Sequence, residues 1–254
     1  MSELAHVALR TTHLSKRWGA FVANDDIHLS VTAGSRHALI GPNGAGKTTL
    51  VNLLTGLVAP TQGDVFLGDE RITHLKPHER VKRGLVRTFQ INSLFPTLTA
   101  LETVLMAIFE RDGLGLAWRR PAFSHGAHVD EARQLLRSLM LIDDANVCVD
   151  VLPYGKQRLL EIAVALAMRP RILLLDEPAA GIPAAQSQDV FRVLAELPRD
   201  VTVIFIEHDM KLVFRFAERI TVLVGGRTLV EGTPAEIARN QDVKAVYLGE
   251  SQHA

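Results

Sequence analysis

The run Gly41-Pro42-Asn43-Gly44-Ala45-Gly46-Lys47-Thr48 fits the pattern G-x-x-x-x-G-K-[ST] and constrains the fold more than any other stretch of the chain. Its glycines let consecutive backbone N–H groups converge on phosphate oxygens with no Cβ in the way. Lys47 is long enough to reach β- and γ-phosphates, and the Thr48 hydroxyl can ligate Mg²⁺. Such a loop works between a strand and a helix. Arg36-His37-Ala38-Leu39-Ile40 before it reads as a short buried strand. Thr49-Leu50-Val51-Asn52-Leu53-Leu54 after it reads as a helix whose positive N-terminus, beginning at Thr49, faces the phosphates. The segment therefore implies that a nucleotide triphosphate is held through the backbone.

The carboxylates such a site needs arrive later in the chain. Ile172-Leu173-Leu174-Leu175 is a continuous aliphatic run that ends in Asp176-Glu177, so a strand delivers two acids to its C-terminal edge, where parallel sheets place ligands. Asp176 can hold Mg²⁺, directly or through water, while Glu177 polarises the water that attacks the γ-phosphate. Val201-Thr202-Val203-Ile204-Phe205-Ile206 is a second such run, followed by Glu207-His208-Asp209. It brings the His208 imidazole to the same edge, within reach of the γ-phosphate or the attacking water.

Runs of this kind are expected of strands covered on both faces of a parallel sheet, which makes the core α/β. From about residue 92 to residue 152 the pattern is helical instead. Thr99-Ala100-Leu101-Glu102 is a capping box, and Val129, Ala132, Leu135, Leu136 and Leu139 share one helical face. The expectation is one domain over 1–254, with a helical subdomain at about 92–165 inserted in the α/β core. Residues 112–128 break both periods with Gly, Pro and paired arginines, and read as a solvated loop or, alternatively, a partner- or membrane-contacting element. Residues 156–168 read as a helix stopped by Pro170. Gly225-Gly226 between two apolar runs signals a hairpin. Thr233-Pro234-Ala235-Glu236 opens a further helix with a second capping box.

Composition narrows the setting. With 28 basic and 28 acidic residues in 254, the chain has no electrostatic footprint for nucleic acid. Its one cysteine, Cys148, excludes an internal disulfide framework and is compatible with a reducing cytosol. No apolar run is long enough to span a bilayer, and the first residues lack the pattern of a secretory signal.

The ordered set of motifs resembles the ATP-binding subunit of ABC transporters over about residues 6–250. It comprises residues 41–48, Gln90 in Arg87-Thr88-Phe89-Gln90, Leu152-Pro153-Tyr154-Gly155-Lys156-Gln157-Arg158, the strand ending at Glu177, and His208. The resemblance implies a P-loop NTPase with a parallel-core mixed sheet, an antiparallel β layer and a helical subdomain, hydrolysing ATP with Mg²⁺. Carried over by position, residues 41–48 with Thr49 are the Walker A loop, and Gln90 is the Q-loop residue that joins Thr48 and Asp176 around Mg²⁺. Pro153, Tyr154, Gly155 and Lys156 belong to the signature, and Glu177, His208, Gln90 and Lys47 serve catalysis. Trp18 takes the place of the aromatic that stacks on adenine, although a lone tryptophan is more often core packing.

Val86-Arg87-Thr88-Phe89-Gln90, Leu94-Phe95-Pro96-Thr97-Leu98-Thr99, Asp176-Glu177-Pro178-Ala179-Ala180-Gly181 and Glu231-Gly232-Thr233-Pro234 are similar to the type that energises uptake of branched-chain amino acids, whose relatives also serve urea and short amides. The implied partners are membrane permease subunits, a second ATPase subunit of identical or different sequence and, indirectly, a solute-binding protein. The implied location is the cytoplasmic face of the membrane. Two positions depart from the family pattern. Pro153 and Lys156 stand where Ser or Ala and Gln are usual, so the signature hydroxyl is missing and the Gly155 N–H, the helix N-terminus and the Lys156 charge are left to do its work. Pro183 stands where many members have Asp. A soluble ABC-type ATPase without a permease, acting in repair or translation, is the runner-up, and a P-loop kinase a weaker third.

Overall fold

In the computed structural model, residues 6–88, 94–114 and 124–250 are described. The chain opens with β1 (Val7–Trp18), which turns at Gly19 into β2 (Phe21–Ile27) and continues to the short β3 (Ser30–Thr32). β4 (Arg36–Ile40) enters the glycine-rich loop and α1 (Lys47–Thr55) leaves it. β5 (Gln62–Leu67) and β6 (Glu70–Arg71) return to the first layer, and α2 (Pro77–Lys82) leads to β7 (Leu85–Arg87). Three helices follow, α3 (Ala100–Arg111), α4 (Gly126–Ser138) and α5 (Tyr154–Ala167). The chain then alternates through β8 (Ile172–Asp176), α6 (Ala184–Glu196), β9 (Thr202–Ile206) and α7 (Met210–Phe216). It ends in the hairpin β10 (Arg219–Val224) and β11 (Arg227–Gly232), then α8 (Pro234–Arg239) and α9 (Gln241–Glu250).

Two sheets result. The first is antiparallel, ordered β2-β1-β5-β6 with β3 also on β1; the second is ordered β11-β10-β4-β9-β8-β7, parallel except for β11. This is the mixed sheet with a parallel core, and the antiparallel layer, that the sequence leads one to expect. The apolar runs of β4, β8 and β9 serve two cores at once, because alternate residues of a strand point to opposite faces. Leu39, Ile172, Leu174, Ile204 and Ile206 join α1 and the antiparallel layer. Ala38, Ile40, Leu173, Leu175, Val203 and Phe205 join the cluster that includes residues of α3, α5 and α6.

Helix starts follow their local chemistry. At α3 the Thr99 hydroxyl accepts from the Glu102 N–H and the Glu102 carboxylate accepts from the Thr99 N–H, and Thr233 and Glu236 repeat the exchange at α8. Some boundaries differ from the sequence expectation. α5 starts at Tyr154, two residues before Lys156, because Pro153 has a fixed extended backbone suited to the N-cap. α4 starts at Gly126, inside the stretch 112–128 that breaks the helical pattern, since Val129, Ala132 and Leu136 bury its apolar face and override a weak start; residues 115–123 of that stretch lie outside the described residues. Arg80 is buried without a carboxylate. Its guanidinium donates instead to the carbonyls of Leu53 and Leu54 at the end of α1 and to those of Thr73 and Leu75, and burial pushes its pKa down to about 10.

Candidate active site

The loop at 41–48 is buttressed from behind by two strands distant in sequence. Gly46, the N-cap of α1, has φ +94°, and a Cβ there would collide with the Ala23 carbonyl oxygen and lie 2.7 Å from Asn24 Nδ2. Asn24 is fully buried and donates its amide to the Gly46 carbonyl at 3.3 Å. A Cβ at Gly41 would collide with the Leu223 carbonyl, and the Gly226 N–H donates to Ala45 O at 3.1 Å. The glycine pair of the β10–β11 turn thus also braces the loop. Lys47 Nζ donates to Gly41 O at 2.6 Å and Pro42 O at 3.0 Å, curled over the loop it belongs to.

Asn43, Gly44 and Thr48 are exposed, Pro42 and Thr49 partly so, and no side chain caps α1. An exposed hydroxyl, a clustered ammonium and the first-turn N–H groups, which have no acceptor inside the helix, form a donor set suited to a polyphosphate and its Mg²⁺.

The strand ends converge on this loop's sheet edge. Asp176 accepts from Arg87 Nη2 at 2.6 Å, and Arg87 Nη1 donates to Asn52 Oδ1 at 2.8 Å, so one guanidinium ties β8 to α1 from the end of β7. Glu177 has φ +51°, a rare conformation for a residue with a Cβ, and its N–H donates to Ile206 O at 3.1 Å. That twist turns the carboxylate to His208, whose Nε2 lies 2.8 Å from Glu177 Oε1.

Glu207 is the residue that sequence reasoning missed here. It is buried and accepts from the Ala179 N–H at 2.9 Å and the His208 N–H at 3.1 Å, joining the turn after Glu177 to the loop bearing His208. Burial raises its pKa, and the backbone donors pull the other way. Arg87 and Asn24 were missed too. Only their side-chain types were visible in the sequence, and their partners lie far along the chain.

Trp18 is not core packing. It is 48% exposed at the β1–β2 turn, stacked on Phe21 with ring centroids 6.4 Å apart and with the Lys16 ammonium 5.2 Å from its ring centroid. The residues that the resemblance assigns to the signature lie at the start of α5. Pro153 is the N-cap of α5, Tyr154 is exposed with its hydroxyl against Gly181, and Gly155 is buried. Lys156 differs from the expectation that its charge is left for phosphate, since Nζ is bound to both Asp144 oxygens at 2.6 and 2.8 Å. Gln157 donates to Val149 O and Leu152 O, and none of these bonds reaches residues 41–48. Gln90 lies outside the described residues.

An apolar groove of about 420 Å³ opens beside β7. Val86, Thr88, Leu94, Met106, Val164 and Glu161 are among its lining residues. Burial pushes the Glu161 pKa up to about 7 against the pull of Arg158.

Residues 24–180 match the family model for ABC transporters, more than half of the chain. The chain belongs to the ABC transporter family of ATP-binding proteins. Residues 227–253 match a second model, for branched-chain amino acid ATP-binding cassette transporters. The high-affinity branched-chain amino acid transport ATP-binding protein BraF of Pseudomonas aeruginosa is 41% identical, over 96% of this chain and 98% of that protein. LivG of Escherichia coli K12, described in the same terms, is 38% identical over the same shares. Among solved structures, the ADP conformation of MJ1267, an ATP-binding cassette of an ABC transporter, superposes with a TM-score of 0.83 at 29% identity, covering 96% of this chain and 99% of that one. The fold is thus the ABC-type P-loop NTPase, and the cassette is an ATPase of that family.

Proposed function

We propose that this cassette is the ATP-hydrolysing subunit of an importer for branched-chain or other hydrophobic amino acids, or related amides and urea, working on the cytoplasmic face of the membrane with separate permease subunits. The observation that carries the substrate class is the second family match at residues 227–253, together with near full-length similarity to BraF and LivG. Nothing comparable favours a permease-free ATPase in repair or translation.

In this reading Lys47 leaves the Gly41 and Pro42 carbonyls for the β- and γ-phosphates, the N-terminus of α1 holds the anion, and Trp18 stacks on adenine. Thr48, Asp176 and Gln90 would hold Mg²⁺, which supplies charge neutralisation on the phosphates when bound. Glu177 accepts the hydrogen bond of the attacking water, and His208, 2.8 Å away, keeps that carboxylate aimed and contacts the γ-phosphate. The signature Pro153, Tyr154, Gly155 and Lys156 serves the ATP of a second ATPase subunit, identical or not, in a head-to-tail pair. A helical subdomain over about 92–165 moves with that pairing. The groove beside β7, bordered by Thr88 and Leu94 on either side of the Gln90 segment, receives an apolar permease segment and passes the motion on. Among the described residues no helix is long and apolar enough to cross a membrane.

The test is co-purification from solubilised membranes followed by leucine uptake into proteoliposomes. ATP-dependent uptake that Glu177→Gln abolishes is the expected result. Permease subunits that purify with the cassette but carry no hydrophobic amino acid, amide or urea would refute the substrate class.

A further inference from the structure

Away from the nucleotide loop, the antiparallel layer carries another cluster of ligating side chains. Leu14 of β1 pairs with Ile27 of β2, and both are fully buried. Strand neighbours point to opposite faces, so His13 and His28, which flank that pair, are cross-strand neighbours on the solvent side. Asp26, two residues before His28, shares that side, and the register shift after Leu14 brings it against His13. His13 Nδ1 lies 2.8 Å and His28 Nε2 3.2 Å from the same oxygen, Asp26 Oδ1, and the imidazole centroids are 4.4 Å apart in an edge-on arrangement. One ligand atom from each residue lies within 4.8 Å of the other two.

As an ion-pair cluster this arrangement does little for the fold. All three side chains are more than half exposed, and exposed pairs of this kind are screened by solvent and contribute little. We propose that His13, Asp26 and His28 form a binding site for a divalent first-row transition ion, with Zn²⁺ the best match and water in the fourth position. Two imidazole nitrogens and one carboxylate oxygen suit Zn²⁺, whereas Mg²⁺ and Ca²⁺ take oxygen ligands, so the ion accompanying ATP does not compete.

With Zn–N at about 2.0–2.1 Å, a tetrahedral ion sets its ligand atoms about 3.3 Å apart. Both contacts to Asp26 are already near that spacing, and rotation of the two exposed rings closes the rest. On binding, Nδ1 of His13 and Nε2 of His28 turn lone pairs to the ion in place of the N–H groups now directed at Asp26, each neutral ring keeping its proton on the other nitrogen. The ion then staples β1 to β2, the edge strand that carries Asn24 behind the phosphate loop.

Equilibrium dialysis of the full-length chain against Zn²⁺, with Mg²⁺ in excess, tests this. Asn tolerates the φ of +49° at position 13, so His13→Asn and His28→Gln preserve the backbone. Wild type is expected to hold one more zinc per chain than the double variant at the same free zinc, and each single variant to bind about tenfold more weakly or worse. Zinc should raise the melting temperature of wild type and not of the double variant. His125 and His128 are a second imidazole pair, beside Asp112, and His125→Ala with His128→Ala should leave this binding unchanged. Equal zinc on wild type and the double variant, or loss of binding with the second pair alone, overturns the proposal.

Discussion

Replacing His37 by glutamine isolates one proton that the fold refuses. His37 lies on β4, fully buried, with Nε2 2.7 Å from Thr221 Oγ1. Thr221 has a single hydroxyl proton and directs it to Glu231 Oε2 at 3.3 Å, so Nε2 of His37 is the donor and Nδ1 carries a lone pair. Nδ1 is buried without a hydrogen-bond partner. Protonating it would create a buried cation with an unpaired N–H, and this desolvation, only partly offset by Glu231, lowers the pKa from 6.5 to about 4. Between those values the unfolded chain binds the proton and the folded chain does not. The stabilising contribution is therefore fully present above pH 6.5 and is lost as pH falls toward 4, amounting to about 3 kcal/mol. His37→Gln keeps a donor for Thr221 but cannot ionise. Urea unfolding of both chains at steps from pH 7 to pH 4 should show wild type losing about 3 kcal/mol relative to the variant, or about 6–12 °C in melting temperature. Titrating groups that do not interact with His37 cancel in the difference. Parallel curves across that range would refute the assignment of the proton to His37.

Glu177→Gln should slow ATP turnover by about 10²- to 10⁴-fold while leaving ATP binding intact, because an amide does not take up the proton of the attacking water; turnover within a few-fold of wild type removes Glu177 from that role. Gly46→Ala should weaken binding of a fluorescent nucleotide, since its φ of +94° and the Ala23 carbonyl leave no room for a Cβ. Unchanged affinity would show that the loop shifts without penalty. In the assembled transporter, Pro153→Ser should change the ATPase rate little and Gly155→Val should depress it. The reverse order would mean that a hydroxyl, rather than the backbone at the start of α5, is what the facing site lacks.

The phosphate loop was legible because its function resides in local backbone: the glycines, Lys47 and Thr48 do their work within eight consecutive positions. The strands at 172–176 and 202–206 and the capping boxes at Thr99 and Thr233 were legible for the same reason, being set by apolar runs and by bonds spanning three residues. The strand order of the larger sheet was another matter. β4 lies between β9 and β10, so the loop at 41–48 is braced by Gly226 after β10, while Asn24 reaches it from β2 of the antiparallel sheet, and Arg87 meets Asp176 across 89 positions. A side chain's identity announces that it can bond, while its partner depends on which strands become neighbours. The same limit hid the pairing of Lys156 with Asp144, the role of Glu207 beneath His208, and the meeting of His13, Asp26 and His28 across two strands. Trp18 shows it most simply, because its type favoured burial and only the turn at the sheet's edge set it in solvent. The sequence by itself determined which chemistry the chain carries and where its local elements begin. Tertiary structure decided which charges are already paired before nucleotide arrives, because pairing follows from the long-range packing of strands and helices rather than from neighbours along the chain.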